Sequence, residues 1–326
     1  MVNLHINNYK LTPFNIAAKD LMQGYLAQIQ SELSDYTFAQ NFIWLSHSSG
    51  FYTIVNETFC LFILNGEDLT MLLPPLGKLE NINTALVECF SIMNSHNSSI
   101  YVSRIEYVHQ SFVENFIASL DESAEIYELM QDYIVEKKLV DYVYMSDHLI
   151  ELKGNSYHTK RIEINKFKKS YEDISIEILD PNRHKDEVLS ILNRWIEHRF
   201  KYIPKEQSEL FIDGISHERF AIKRILKYYD ELDLIGVVLY INGTVAGFSV
   251  GERLNETSAS ILIEKSDFEI LGAAQFIFRE FCKVLKEKFG STYINVGDDM
   301  GFENLKKVKL SYRPYKLIPK YTIYQK

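Results

Sequence analysis

The stretch from Ser260 to Tyr321 constrains this chain more than any other. An apolar run ending in a carboxylate, Ser260-Ile-Leu-Ile-Glu264, predicts a strand. Glu269-Ile-Leu-Gly272-Ala-Ala274 predicts a glycine turn that opens a long amphipathic helix. A short strand, Thr292-Tyr-Ile-Asn295, follows, and Gly301 to Tyr321 holds a short helix and a final strand. The elements thus run strand, glycine turn, helix, strand, short helix, strand.

The rest of the chain repeats that order. Thr12-Pro13 predicts the start of a first helix, a capping residue before a first-turn proline. Strands are expected over Phe51–Val55, Thr58–Leu64 and Leu69–Leu73, ended by Pro74-Pro75. Helices over Ile82–Met93 and Gln110–Leu120 alternate with strands over Ile100–Val108, Glu125–Ile134 and Val140–Met145. Asp147–Leu152 and Tyr157–Tyr171 predict helices that bridge the halves. In the second half, Asn242-Gly243 between two apolar runs is a strong hairpin signal. The expected division is a domain over 1–152, a basic helical linker over 153–171, and a second domain over 172–326. Each half is expected to have its own mixed sheet, flanked by helices, in an α+β architecture.

The 326 residues suffice for two cores. Three scattered cysteines in no CxxC pair argue against a disulfide framework or a structural zinc site and point to a reducing, cytoplasmic setting. No apolar run reaches the ~20 residues of a membrane helix, and the N-terminus has no export signal. The net charge of −9 is unevenly spread, with 20 acidic and 9 basic residues before position 166. After Glu303 there is no acidic residue, while Lys306, Lys307, Lys309, Arg313 and Lys316 follow in quick succession. Lys153, Lys160, Arg161, Lys166, Lys168 and Lys169 form a second cluster. Either these are solvated faces, or they form a positive rim for phosphates.

Candidate chemistry gathers at the strand ends. Glu264 closes a central strand and is placed to accept a proton from an attacking amine; equally, it is placed for a structural ion pair with a neighbouring cation. Lys265 follows it. Asp298 and Asp299 end the next strand on the same side of the sheet, as substrate contacts or as a plain turn. GxSxG, HExxH and GxxxxGK[ST] are missing. The histidines, His47, His96, His148 and His217 among them, are isolated, so no metal site is expected.

The order of elements is similar to that of GNAT-type N-acyltransferases; the resemblance implies a cleft between two splayed strands of the second domain, where an amine meets an activated acyl group. Their acetyl-CoA loop reads Gln/Arg-x-x-Gly-x-Gly/Ala, and its amides hold a pyrophosphate at a helix N-terminus. Gly272 and Ala274 match it, but Glu269 stands at the first position and would repel the pyrophosphate. The alternative is that these small residues let the helix pack closely on its strand. Two segments, Asp141 to Phe167 and Ile263-Glu-Lys265 with Leu305 to Leu317, resemble the family related to the C-terminal domain of phosphatidylglycerol lysyltransferase. The resemblance covers essentially the whole chain. It implies two tandem GNAT-like domains, as in Fem-type transferases, and aminoacyl-tRNA as a donor. It carries Lys160, Arg161 and Asn165 onto the linker motif. Glu264, Lys265, Lys309, Tyr312 and Arg313 fall on the C-terminal one. The linker pattern Lys-Arg-Asn-His-Ile-Asn is broken by Ile162 and Glu163.

The expectation is an aminoacyl or acyl transferase with Glu264 and Tyr312 catalytic. Lys265, Lys309, Arg313, Asp298 and Asp299 are expected at the substrate. Lys160, Arg161, Asn165, Lys168, Lys306 and Lys307 are expected at phosphate or tRNA. The acceptor is a small molecule or a lipid head group. A non-catalytic binding protein on the same fold is the alternative, and an acetyl-CoA-dependent enzyme the third reading.

Overall fold

The computed structural model describes residues 2–45, 49–115, 126–129, 132–200 and 208–326. His47 lies outside the described residues, as do the end of the helix expected over Gln110–Leu120 and parts of the strand expected over Glu125–Ile134.

A hairpin of β1 (Leu4–Ile6) and β2 (Tyr9–Pro13) opens the chain. Thr12-Pro13 therefore does not start a helix. Pro13 ends β2 opposite Phe51, at a strand terminus where a missing N–H is tolerated. The cap is Asn15, whose Oδ1 accepts from the Ala17 amide at 2.9 Å. Next come α1 (Lys19–Leu26) and α2 (Phe38–Trp44). The expected meander is β3 (Ser49–Val55), β4 (Thr58–Asn65) and β5 (Asp68–Met71). Then follow α3 (Leu79–His96), β6 (Arg104–His109), α4 (Gln110–Glu114), β7 (Ile126–Leu129) and β8 (Tyr133–Met145).

The chain continues through α5 (Ser146–Glu151), α6 (His158–Ser170), β9 (Ile174–Ile178), α7 (Pro181–Phe200) and α8 (Ser208–Lys227). It then forms β10 (Ile235–Ile241), β11 (Thr244–Arg253), β12 (Ser258–Ser266) and α9 (Ala273–Phe289). It ends with β13 (Tyr293–Asn295), α10 (Glu303–Ser311) and β14 (Lys316–Gln325). Asn242 and Gly243 both take positive φ, as a type I′ turn between β10 and β11 requires.

The backbone forms two compact units, Met1–Asp141 with Ile318–Lys326, and Tyr142–Leu317. Most of the last strand thus belongs with the first unit, where Lys320 and Tyr321 pair with His109 and Val108 of β6. The strand order is one path, β1-β2-β3-β4-β5-β6-β14-β8-β13-β12-β11-β10-β9, with β7 paired to β8 off it. The expectation of a separate sheet for each half is therefore corrected. β8 is 13 residues long and passes through both units, so its edges carry hydrogen bonds on either side of the boundary. Parallel and antiparallel pairs mix, as expected: β5–β6 and β12–β13 are parallel.

In the first unit, Phe62, Met71, Leu86, Phe90, Ile105 and Ile323 build one buried cluster. Lys320, 2% exposed and next to Tyr321 of that cluster, has Nζ 2.5 Å from Asp35 Oδ2 and 2.8 Å from Asp141 Oδ1. Asp141 also accepts from the Ser34 amide at 2.7 Å. In the second unit, α6 is no free linker. Its Ile164 and Phe167 are buried, and Phe167 meets Phe276 of α9 with ring centroids 5.0 Å apart. An amphipathic helix is stable in water only when such a face is covered.

Candidate functional site

β12 and β13 are parallel partners over only three residues, Ser258–Ser260 against Tyr293–Asn295. β12 then continues to Ser266, while the chain leaves β13 at Asn295 for the turn before α10. Between Val250 and Gly251 the register against β12 slips and passes over Leu262, a bulge that bends the strand. Glu264 stands just past this bulge, four residues beyond the last β12–β13 pair, opposite Ser249 of β11.

Glu264 is half-buried overall, but its Oε2 oxygen is fully enclosed and has no hydrogen-bond partner. Removing a carboxylate from water penalises its charged form. Burial pushes the Glu264 carboxyl up to about 8, against a smaller pull downward from the Ser249 hydroxyl. Its charge in turn reaches Tyr312 and Cys282 of α9, helping to raise both, chiefly on top of burial. Glu264 and Tyr312, the two expected catalytic groups, therefore sit in one electrostatic neighbourhood.

Tyr312 is held from three sides. Its backbone carbonyl accepts from the Tyr157 hydroxyl at 2.9 Å. Its ring meets Phe278 edge-on at 4.9 Å between centroids. Lys160 Nζ lies 4.5 Å from the ring centroid on α6 and 3.8 Å from Glu163 Oε2. One turn earlier, Tyr144 donates to the Lys309 carbonyl at 2.8 Å.

Next to this lies a cavity of about 390 Å³ lined by Ser156, Thr159, Lys160, Lys307, Leu310, Ser311 and Arg313. It unites one cation of the linker cluster with two of the C-terminal cluster, and adds three hydroxyls. Three cations and several donors facing one space suit an oxyanion such as phosphate. Arg313 takes a positive φ of 55° immediately after α10.

The other expected contacts are committed elsewhere. Lys309 turns inward and donates to the carbonyls of Val296, Gly297 and Asp298 at 2.6, 3.0 and 2.5 Å, closing the turn after β13. Asp299 accepts from the Tyr142 hydroxyl at 2.5 Å and from the Gly301 amide at 2.9 Å, and Asp298 accepts from the Met300 amide at 2.8 Å. Lys265 projects away from Glu264, as strand alternation demands. It pairs with Glu218 of α8 at 2.7 Å and lies over the Trp195 ring at 3.7 Å. Arg161 donates to the carbonyls of Leu152 and Gly154. Lys306 lies 3.6 Å from Glu303, Lys168 5.5 Å from the Phe276 ring, and Asn165 is exposed on α6. Lys316 lies 5.2 Å from the Tyr293 ring. The expected rim is thus brought together only at Lys160, Lys307 and Arg313.

Gly272 caps α9 with φ 87°, and α6 presses against it: a Cβ there would lie 2.8 Å from the Glu163 carbonyl oxygen. Ala274 and Glu269 are exposed. Sequence reasoning missed Ser249 and Tyr157. Ser249 meets Glu264 in the β11–β12 ladder, whose register shifts at a bulge, so the Asn242-Gly243 turn between β10 and β11 could not reveal the pair, and Tyr157 carried no signal.

Residues 26–324 match the family model "Phosphatidylglycerol lysyltransferase, C-terminal". No curated protein matches the sequence significantly. Among solved structures, a conserved protein of unknown function from Bacteroides thetaiotaomicron is 23% identical, with a TM-score of 0.75, and the alignment covers 99% of this chain and 100% of that one. L-PGS from Bacillus licheniformis is 14% identical, with a TM-score of 0.61, over 94% of this chain and 91% of that one. At these identities the likeness to both is one of fold.

Proposed function

Since the chain belongs to the phosphatidylglycerol lysyltransferase C-terminal family, we propose that it is an aminoacyl transferase built from two tandem GNAT-like domains, with its active cleft in Tyr142–Leu317. Its donor is an aminoacyl-tRNA, its acceptor an amine or hydroxyl on a small molecule or lipid head group, and its place of work the cytoplasm. One observation carries the reading. A carboxyl raised to about 8, with an enclosed oxygen lacking a partner, sits past the splay of two strands and acts on Tyr312, whose ring meets Lys160 of a cationic cavity.

An aminoacyl ester is already activated, so orientation and proton transfer suffice. As the nucleophile attacks the ester carbonyl, its proton passes to Glu264 and the new C–N or C–O bond forms. The bond from the carbonyl carbon to the ribose oxygen then breaks, and that oxygen takes the proton back from Glu264. A group with a pKa near the working pH serves both steps. Tyr312 keeps its phenolic proton, because burial first and the Glu264 charge second raise it, and it donates to the oxyanion. Lys160, Lys307 and Arg313 hold a phosphate of the substrate. Acetyl-CoA fits less well as donor. The Gly272 position is crowded by α6, and Glu269 adds a negative charge close to where a pyrophosphate would lie.

The test is transfer of label from aminoacyl-tRNA charged with a radioactive amino acid to a panel of amine and hydroxyl acceptors. The wild type should form a labelled product, and Glu264→Gln should slow it ~100-fold or more. Equal rates in both proteins, or acylation from acetyl-CoA alone, would overturn the reading; binding without turnover would favour a ligand-binding role.

A further inference from the structure

The segment from Met300 to Leu317 has more exposed apolar surface than its packing explains. Six of the nineteen exposed large apolar side chains among the described residues lie in these eighteen positions. Within it, α10 has no buried residue at all. Leu305, Lys309 and Ser311 are its half-buried positions, and Leu305 and Lys309, four residues apart, mark its inner side. Phe302, Lys306 and Leu310 follow one another at i, i+4 and i+8, so they share one stripe of the helix surface. Phe302 is 58% and Leu310 39% exposed. Leu310 shares the cavity with Lys307 and Arg313. Beyond the helix, Tyr315 and Leu317 are also exposed. No acidic residue follows Glu303, although the whole chain carries a net charge of −9.

We propose that this segment docks the protein on an anionic lipid bilayer, with Phe302, Leu310 and their apolar neighbours entering the head-group boundary and Lys306, Lys307 and Arg313 facing the lipid phosphates. Apolar side chains interleaved with cations are what an interfacial helix presents. A phosphate-tracking RNA groove would leave the aliphatic Met300, Val308, Leu310 and Leu317 without partners, and protein interfaces are depleted in lysine. Among the described residues no helix is long and apolar enough to cross a membrane, so this contact is with the surface. Lys307 and Arg313 also line the cavity used in the transfer reading, so the docking surface stands or fails on vesicle binding through Phe302 and Leu310, which have no role in transfer, and the transfer reading on Glu264.

The test is sedimentation of the full chain with vesicles of phosphatidylcholine alone and with vesicles containing one third phosphatidylserine. We expect at least tenfold stronger binding to the anionic vesicles, weakened by salt. Phe302→Ser with Leu310→Ser should lose tenfold or more, as should Lys307→Glu with Arg313→Glu, both at unchanged thermal midpoint; Glu264→Gln should bind as the wild type does. Equal binding to both vesicles, binding to neither, or full binding by the Phe302→Ser, Leu310→Ser protein would overturn the proposal.

Discussion

The carbonyl oxygen of Glu163 lies 2.8 Å from where a Cβ on Gly272 would stand. Helix α6 is thereby seated on the first turn of α9, and a glycine is needed twice over, for closeness and for its φ of 87°. Gly272→Ala should combine left-handed strain with overpacking, about 1–3 kcal/mol each. Chemical denaturation should show a lower midpoint at an unchanged slope. A midpoint equal to the wild type would mean that α6 does not rest there.

Lys309 and Arg313 belong to one sequence motif but do different jobs. Lys309→Ala leaves three turn carbonyls without their donor and should cost about 1–3 kcal/mol, read as a lower thermal midpoint. Arg313→Ala should leave stability within ~0.5 kcal/mol and weaken binding of phosphate-bearing ligands. Calorimetric titration with tRNA beside a thermal melt separates the two; the reverse pattern would contradict the assignment.

The buried Lys320, set between Asp35 and Asp141, should tolerate loss badly. Lys320→Met strands two carboxylates in the first unit, and breaking such a pair costs about 3–5 kcal/mol. Adding Asp35→Asn and Asp141→Asn should recover part of that loss. A single Lys320→Met variant as stable as the wild type would show that these carboxylates are solvated.

Much of this fold was legible because its signals are local. Asn242-Gly243 fixes a hairpin through backbone conformation alone, and the β12, α9, β13 order follows from periodicity. Close packing at Gly272 was one of two readings open in the sequence, but it was expected against the preceding strand; the crowding comes from Glu163 of α6, more than a hundred residues away. Charge runs were harder to read. Lys306, Lys307 and Lys309 are near neighbours in sequence, yet one pairs with Glu303, one lines a cavity and one points inward, because a helix turns 100° per residue. The splitting of the C-terminal strand between units was not legible, since β6–β14 pairing depends on contacts more than two hundred residues apart. Glu264 stood out as a strand-end carboxylate, but its enclosed oxygen and the bulge beside it appear only in three dimensions.

The raised Glu264 carboxyl also predicts how stability varies with pH. Its folded value of about 8 lies above the ordinary 4.5, so the native state holds a proton that the unfolded chain releases. Stability from this group is intact below about 4.5 and falls as pH rises toward 8, by at most ~1.4 kcal/mol per pH unit. Glu264→Gln should therefore match the wild type near pH 4.5 and become progressively more stable up to pH 8, with a constant gap above. A gap that does not change with pH would place Glu264 in water.

The most direct test of the central claim is the pH dependence of single-turnover aminoacyl transfer by the wild type and by Glu264→Gln. If Glu264 takes the nucleophile's proton, the wild-type rate should climb tenfold per pH unit below about 8 and level off above it. The variant should be slower by ~100-fold or more and lack that limb. A wild-type profile with no inflection near 8, or a variant retaining the same inflection and rate, would contradict the account.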